Sequence, residues 1–219
     1  MTNIMLVDDH ASSREPLAFM LEREPDFAVV EQAGSLAEAR KFLKQDGASI
    51  DIAVVDLGLP DGSGEELIAD VRTSFPDANT LVLTYFSDKE RLAAAVEAGA
   101  AGILHKSASI EEVMNAIRRV DTGANLLSFE DVLSALNLVR SHRSPGDDDN
   151  VPIERLTDRE RDVLLALAEG MSDKDIAEHF SVGPATVRSH VTNILSKLGA
   201  TSRLQALVVA VRQGIVHIS

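Results

Sequence analysis

Between Ile52 and Gly64 a near-continuous apolar run ends in one carboxylate, Asp56, and passes at once into Leu57-Gly58-Leu59-Pro60-Asp61-Gly62-Ser63-Gly64. An unbroken apolar run of this length predicts a strand covered on both faces, as strands of a parallel sheet are. The Gly, Pro and Asp that follow predict a loop. Asp56 therefore stands at the carboxyl end of a strand, the edge where ligands bind in open α/β sheets. A carboxylate in such company must be paired, metal-bound or reactive, because leaving it isolated and charged is costly.

The first half of the chain supplies candidates for what answers it. Asn3 to Val7 is a second apolar run and ends in Asp8-Asp9-His10, after which Ser12 or Ser13 can cap a helix to about Glu24, with Pro16 tolerated in its first turn. A strand over Phe27 to Val30, a helix opened by the capping box Ser35 and Glu38, the Asp56 strand and a helix from Glu65 to Phe75 follow. Then come a strand Thr80 to Thr84, a helix Asp88 to Glu97, a strand Gly102 to His105 and a helix Ser109 to Asp121. Strand and helix alternate five times, which predicts an α/β fold: a five-stranded, doubly wound parallel sheet of flavodoxin-like form.

In such a sheet Asp8, Asp9, Asp56, Thr84 and Lys106 all fall on one edge. Two carboxylates about 4 Å apart repel by roughly 4 kcal/mol at an effective dielectric of 20, and a third crowds them further. Mg²⁺ is the natural remedy, since it takes one or two carboxylates, a carbonyl, waters and a phosphate oxygen. Asp9 and Asp56 are expected as direct ligands, Asp8 through water or from behind, and the Gly58 carbonyl as a further ligand. Asp56 can then act as a nucleophile toward a phosphoryl group, with Thr84 and Lys106 binding the phosphoryl oxygens. Each residue taken singly has a blander reading as a turn, strand or solvated-loop residue; the five together do not. His10 and His105 lack a second His or Cys at metal-ligand spacing and read as structural.

Length and composition set the frame. The 219 residues suit two smallish domains. Without cysteine there is no disulfide framework, no stretch has the 18 or so apolar residues of a membrane span, and Met1 to Val7 does not read as a signal peptide. A soluble, cytoplasmic protein with no membrane attachment is expected. The net charge of -14 is uneven: residues 1 to 140 hold 24 acidic against 12 basic residues, residues 141 to 219 only 11 against 9. From Ser181 onward there is no acid, so the far end can approach a polyanion.

After the last strand-helix unit, apolar positions at Val132, Leu133, Leu136 and Val139 predict a connector helix, and Ser141 to Asn150 reads as an acidic, flexible tether. The remainder is punctuated as four helices: Thr157 with Glu160 opens the first, Ser172 the second, Gly183-Pro184 the third, and Ser202 with Gln205 the fourth. Short helices joined by a tight turn predict a small all-α helix-turn-helix domain. On the third helix Val187, Val191, Ile194 and Leu198 form a core stripe. The opposite face carries Arg188, Ser189, Thr192, Asn193, Ser196 and Lys197, donors without acids, as a helix entering the major groove of double-stranded DNA requires. Arg188 is the expected base contact; Thr186, His190 and Lys197 are expected at phosphates.

These residues carry a resemblance. Asp8-Asp9, Asp56 with its Leu-Pro-x-Gly-x-Gly loop, Thr84 and Lys106 resemble the receiver domain of two-component response regulators over residues 1 to 122. Leu156 to Arg161, Gly170, Thr186 to His190 and Lys197-Leu198-Gly199 resemble a LuxR-type DNA-binding domain over 152 to 219, with 123 to 151 as linker. Together they resemble the NarL/FixJ subfamily. The resemblance implies a phosphorylation-controlled transcription regulator rather than an enzyme, with Asp56 phosphorylated by a sensor histidine kinase and Thr84 turning toward the phosphate. It also implies a homodimer on DNA through Leu204, Leu207, Val208 and Val211, and RNA polymerase as a further partner. Three positions depart from the pattern: Ile103 replaces an aromatic switch residue, Arg188 stands where Lys is frequent and keeps the charge, and Asp173 places an acid near the DNA face. The rival readings are a Mg²⁺-dependent phosphatase or phosphotransferase and a phosphorylation-independent regulator.

Overall fold

The computed structural model describes residues 1–85, 89–122 and 156–216. The connector helix and tether expected over 129–139 and 141–150 lie outside the described residues. Five parallel strands, β1 (Thr2–Val7), β2 (Phe27–Ala33), β3 (Ile52–Val55), β6 (Asn79–Thr84) and β7 (Gly102–His105), lie in the order β2-β1-β3-β6-β7. The strand order reverses between β1 and β3, so the crevice between their carboxyl ends is the ligand position of this topology.

Helices cover both faces, as the unbroken apolar strands demand. Ile4, Leu6, Ile52, Val54 and Leu81 pack on one side against α1 (Ala11–Leu21) and α5 (Ile110–Asp121). Met5, Val7, Ala53 and Val55 point to the other, toward α2 (Leu36–Leu43) and α3 (Gly64–Ser74). A third cluster, Leu57, Ile68, Val82, Ala95 and Ala100, joins α3 and α4 (Lys89–Ala98) to β6. Between β3 and α3 a two-strand hairpin, β4 (Gly58–Leu59) with β5 (Gly62–Ser63), occupies what reads as plain loop.

Most helix starts are where the caps put them. Ser35, Ser109, Thr157, Ser172 and Ser202 each accept a hydrogen bond from the N–H three residues on. Helix α1 differs: its N-cap is His10, not Ser12 or Ser13, because the Asp8 carboxylate reaches forward to the His10 N–H at 2.9 Å and starts the helix earlier.

The second domain packs α6 (Asp158–Ala168), α7 (Asp173–Phe180), α8 (Pro184–Leu198) and α9 (Arg203–Arg212) around Val163, Leu164, Leu167, Ile176, Val187, Val191, Ile194 and Leu207. Helix α8 ends at Gly199, whose left-handed φ of 61° suits a residue without Cβ. Helix α9 also touches the first domain: Leu204 and Val208 bury Val96 of α4, with Ile103 and Val211 at the margin. The Ser202 hydroxyl donates to the Ala100 carbonyl at 3.1 Å. Among the described residues no single helix is long and apolar enough to cross a membrane.

Candidate functional site

Asp8 directly follows β1 and Asp56 directly follows β3, so adjacent parallel strands deliver the two carboxyls to one crevice. The Asp56 N–H donates to the Val7 carbonyl at 2.8 Å, extending the ladder by one rung and fixing the acid's position. Both side chains are buried. Lys106 follows β7, held by its own N–H on the Thr84 carbonyl at 2.9 Å. Its Nζ reaches between the acids, 2.6 Å from Asp8 Oδ2 and 2.7 Å from Asp56 Oδ2. Burial by itself pushes this ammonium down; the hydrogen bonds and charges of Asp56 and Asp8 outweigh it and hold the pKa above its ordinary value. One ammonium thus supplies the positive charge that the crowded carboxylates require.

The remaining site residues surround this trio. Thr84, at the end of β6, is buried. Asp9 stands at the rim with its Oδ1 2.5 Å from His10 Nδ1. Ligand atoms of Asp8, Asp9, His10 and Asp56 all lie within 4.8 Å of one another, a mostly oxygen donor set suited to a hard divalent cation. His10, expected as a purely structural residue, is drawn into that cluster by its contact with Asp9. Gly58 opens the hairpin after Asp56, two residues from its carboxyl.

The loop itself is tied down by residues the sequence reading passed over. The Asp61 carboxylate accepts from the Leu36 and Ala37 N–H groups at 2.7 and 2.8 Å, so the loop caps helix α2; these backbone bonds, Ala37 first, hold its pKa below the usual carboxylate range. At Gly64 a Cβ would collide with the Asp56 carbonyl oxygen, so only glycine lets α3 start this close to Asp56. The Tyr85 ring lies across the mouth, its centroid 5.4 Å from Lys106 Nζ and 5.9 Å from the His105 ring, which it meets edge to face. A lone tyrosine after a β-branched strand end gives no sequence signal for such a contact.

In the second domain, Thr186, Arg188, Ser189, Thr192 and Asn193 share the exposed side of α8, while Val187, Val191, Ile194 and Leu198 are buried. His190 is half-buried. Lys197 is half-buried as well, its Nζ 2.9 Å from the carboxylate of buried Glu160. Asp173, which reads as an acid near the DNA face, lines the same cleft as Arg188 and is buried, clamped by both Arg203 Nη atoms at 2.5 and 3.0 Å. Arg188 and Thr192 face a cleft of about 600 Å³ between the domains, whose opposite wall includes Asp77 and Asp121.

Comparison with known proteins agrees with both halves. Residues 4–118 match the response regulator receiver domain, and residues 154–210 match the luxR family of bacterial regulatory proteins. The DNA-binding transcriptional activator DevR/DosR of Mycobacterium tuberculosis is 37% identical over 96% of this chain and 94% of its own length. The transcriptional regulatory protein LiaR of Bacillus subtilis is 33% identical over 99% of this chain and 100% of its own. Among solved structures, a LuxR-family two-component response regulator from an Aurantimonas species is 33% identical, covers 64% of this chain and 99% of its own, and superposes with a TM-score of 0.55.

Proposed function

The chain belongs to the two-component response regulators that join a receiver to a LuxR-type DNA-binding domain, and from that premise we propose that Asp56 is the phosphoryl acceptor whose state controls the DNA-binding helix. It is a DNA-binding transcriptional regulator. The observation that carries the acceptor reading is the buried Asp8, Asp56 and Lys106 trio at the reversal of strand order. We read residues 1–122 as the receiver and 152–219 as the DNA-binding domain, with 123–151 between them.

Asp8, Asp9, Asp56 and the Gly58 carbonyl would hold Mg²⁺. Bound there it would neutralise the carboxylates and the phosphoryl oxygens as charge is transferred. The chain's own residues do the rest. An Asp56 carboxylate oxygen attacks the phosphorus of the kinase's phosphohistidine, the bond from phosphorus to the imidazole nitrogen breaks, and Lys106 and the Thr84 hydroxyl offer donors to the transferred group's oxygens. Burial of Asp56 to 6% exposure limits the access of bulk water to its carboxylate.

The output follows from where α9 sits. Leu204 and Val208, which the sequence offers as dimer contacts, lie against Val96 of the receiver. Leu207 faces its own domain's core and is not available to a partner. A phosphoryl group that favours an undocked state would release α9 for a second copy and Arg188, Ser189, Thr192 and Asn193 for DNA, with Thr186, His190 and Lys197 nearer the phosphates. Two such domains on adjacent half-sites gain affinity through effective concentration. The sensor histidine kinase and duplex DNA are the partners of this reading, a homodimer its active form, RNA polymerase a further contact and the cytoplasm its location.

Intact mass spectrometry with acetyl phosphate and Mg²⁺ tests the acceptor. One phosphoryl group is expected on the native chain and none on Asp56→Asn; equal labelling of both would refute it.

A further inference from the structure

Among the described residues, the loop that follows Asp56 is joined to helix α4 by a hydrogen-bonded side chain as well as by apolar packing. Arg91, in the first turns of α4, donates from Nη2 to the Leu57 carbonyl at 2.6 Å. The same guanidinium meets the Glu65 carboxylate at the start of α3, with Nε 3.1 Å from Oε1 and Nη2 3.3 Å from Oε2. Side-chain exposures of 30% for Arg91 and 17% for Glu65 keep this contact partly out of water, where charge-assisted hydrogen bonds are stronger and less screened. Leu57 is the neighbour of Asp56 and is itself fully buried. Its peptide unit leads directly to Gly58.

Helix α4 is also the element on which α9 rests. Val96 packs on Leu204 and Val208, and the Gln205 side-chain amide donates to the Glu97 carbonyl at 3.4 Å. The apolar contacts that hold α4 to the receiver, through Ala95 with Leu57, Ile68 and Val82, fix no direction. Arg91 does: a planar fork bonded to both Leu57 and Glu65 moves with the groups it holds.

We propose that Arg91 is the positioning residue that carries the state of the Asp56 loop to helix α4 and through it to the docked helix α9. The proposal rests on the reading of Asp56 as acceptor. A change at Asp56 and Gly58 that turns the Leu57 carbonyl displaces the guanidinium, α4 shifts with it, and the seat of Leu204 and Val208 opens. In this chain Ile103 stands where an aromatic switch is usual and lies between the two apolar clusters, so a polar link is the directional one.

Removing Arg91 leaves the loop satisfied, which makes the test clean. The Leu57 carbonyl also accepts from the Gly64 N–H at 3.1 Å, and Glu65 remains in the first turn of α3, where a helix favours an acid. Arg91→Ala is therefore expected to fold and to accept a phosphoryl group. Full-length native protein, Arg91→Ala and Arg91→Lys are treated with acetyl phosphate and Mg²⁺, scored by intact mass, and followed by amide hydrogen exchange over residues 89–98 and 203–212. In the native chain phosphorylation is expected to raise exchange in the α9 segment by about tenfold or more; in Arg91→Ala the rise falls below about twofold although labelling persists. Arg91→Lys, which keeps the charge but not the planar fork, falls between. A native-sized rise in Arg91→Ala overturns the proposal and leaves Arg91 as an ordinary ion pair. Labelling of the native chain with no change in α9 also overturns it while the acceptor reading stands. No labelling of the native chain removes both.

Discussion

At the scale of single residues, the most telling one is Lys106, whose ammonium holds Asp8 and Asp56 together at 2.6 and 2.7 Å. Removing one member of a buried ionic cluster costs about 3–5 kcal/mol because the remaining charges lose their compensation. Lys106→Met is therefore expected to lower the melting temperature sharply in chelator and to regain more of it than the native chain on adding Mg²⁺; equal gains in both proteins would show that the ammonium and the cation do not serve the same carboxylates. In the second domain Glu160 offers a pH test. Burial favours its neutral form, but the bonds from Lys197 and Thr157 outweigh that and hold its pKa below the ordinary 4.5. A depressed folded-state pKa contributes stability that is present above about pH 4.5 and lost as pH falls through the lowered value. Glu160→Gln should cost about 1–3 kcal/mol at neutral pH and flatten the acid limb of the unfolding curve, measured by circular dichroism. Asp8, Asp9, Asp56, Thr84 and Lys106 were legible in the sequence because each ends a strand-like run. Arg91, Asp61 and Tyr85 were not, because their partners lie on other elements and leave no periodic trace.

At the scale of elements, local chemistry was readable and coverage was not. The caps at Ser35, Ser109, Thr157, Ser172 and Ser202 act through bonds that span three residues, so the sequence contains the whole interaction. The start of α1 at His10 escaped because the stabilising group, Asp8, belongs to the preceding strand's end. Helix α9 shows the same limit more sharply. Its apolar residues divide into an inward set, Ala206, Leu207 and Ala210, and an outward set, Leu204, Val208 and Val211. A sequence tells that the outward set needs covering but not that α4 covers it. Val96→Glu uses this: Val96 is only 4% exposed, and a carboxylate there would be trapped against Leu204 and Val208 at a cost of several kcal/mol. The docked state should give way while α9 itself is unaltered. Duplex DNA binding without acetyl phosphate is expected to approach that of the phosphorylated native protein in fluorescence anisotropy; unchanged basal binding would mean that this contact does not restrain the domain.

At the scale of the molecule, charge is divided between the two halves and the cleft brings the halves face to face. Residues 1 to 140 hold 24 acids against 12 bases, while no acid follows Ser181. The receiver lines the cleft with Asp77, Asp121 and Arg72, and the second domain with Arg188, Thr192, Arg203 and Asp173, Arg188 and Thr192 being residues of the helix face expected to read DNA. With two carboxylates against one guanidinium the receiver's wall is net negative, which would favour Arg188 facing it and so oppose duplex binding. Such an effect acts through solvent across a gap, so it must weaken as ions screen it: the Debye length is about 10 Å at 0.1 M salt and about 3 Å at 1 M. The paired substitution Asp77→Asn with Asp121→Asn is expected to tighten duplex binding by the unphosphorylated chain several-fold near 50 mM salt and to have almost no effect near 0.5 M. Loss of a direct contact would behave otherwise, since hydrogen bonds and packing survive screening. Anisotropy titrations at the two salt concentrations separate these cases. An enhancement that persists undiminished at high salt would assign the restraint to the α4 and α9 contact alone and leave the acidity of the receiver without a part in it.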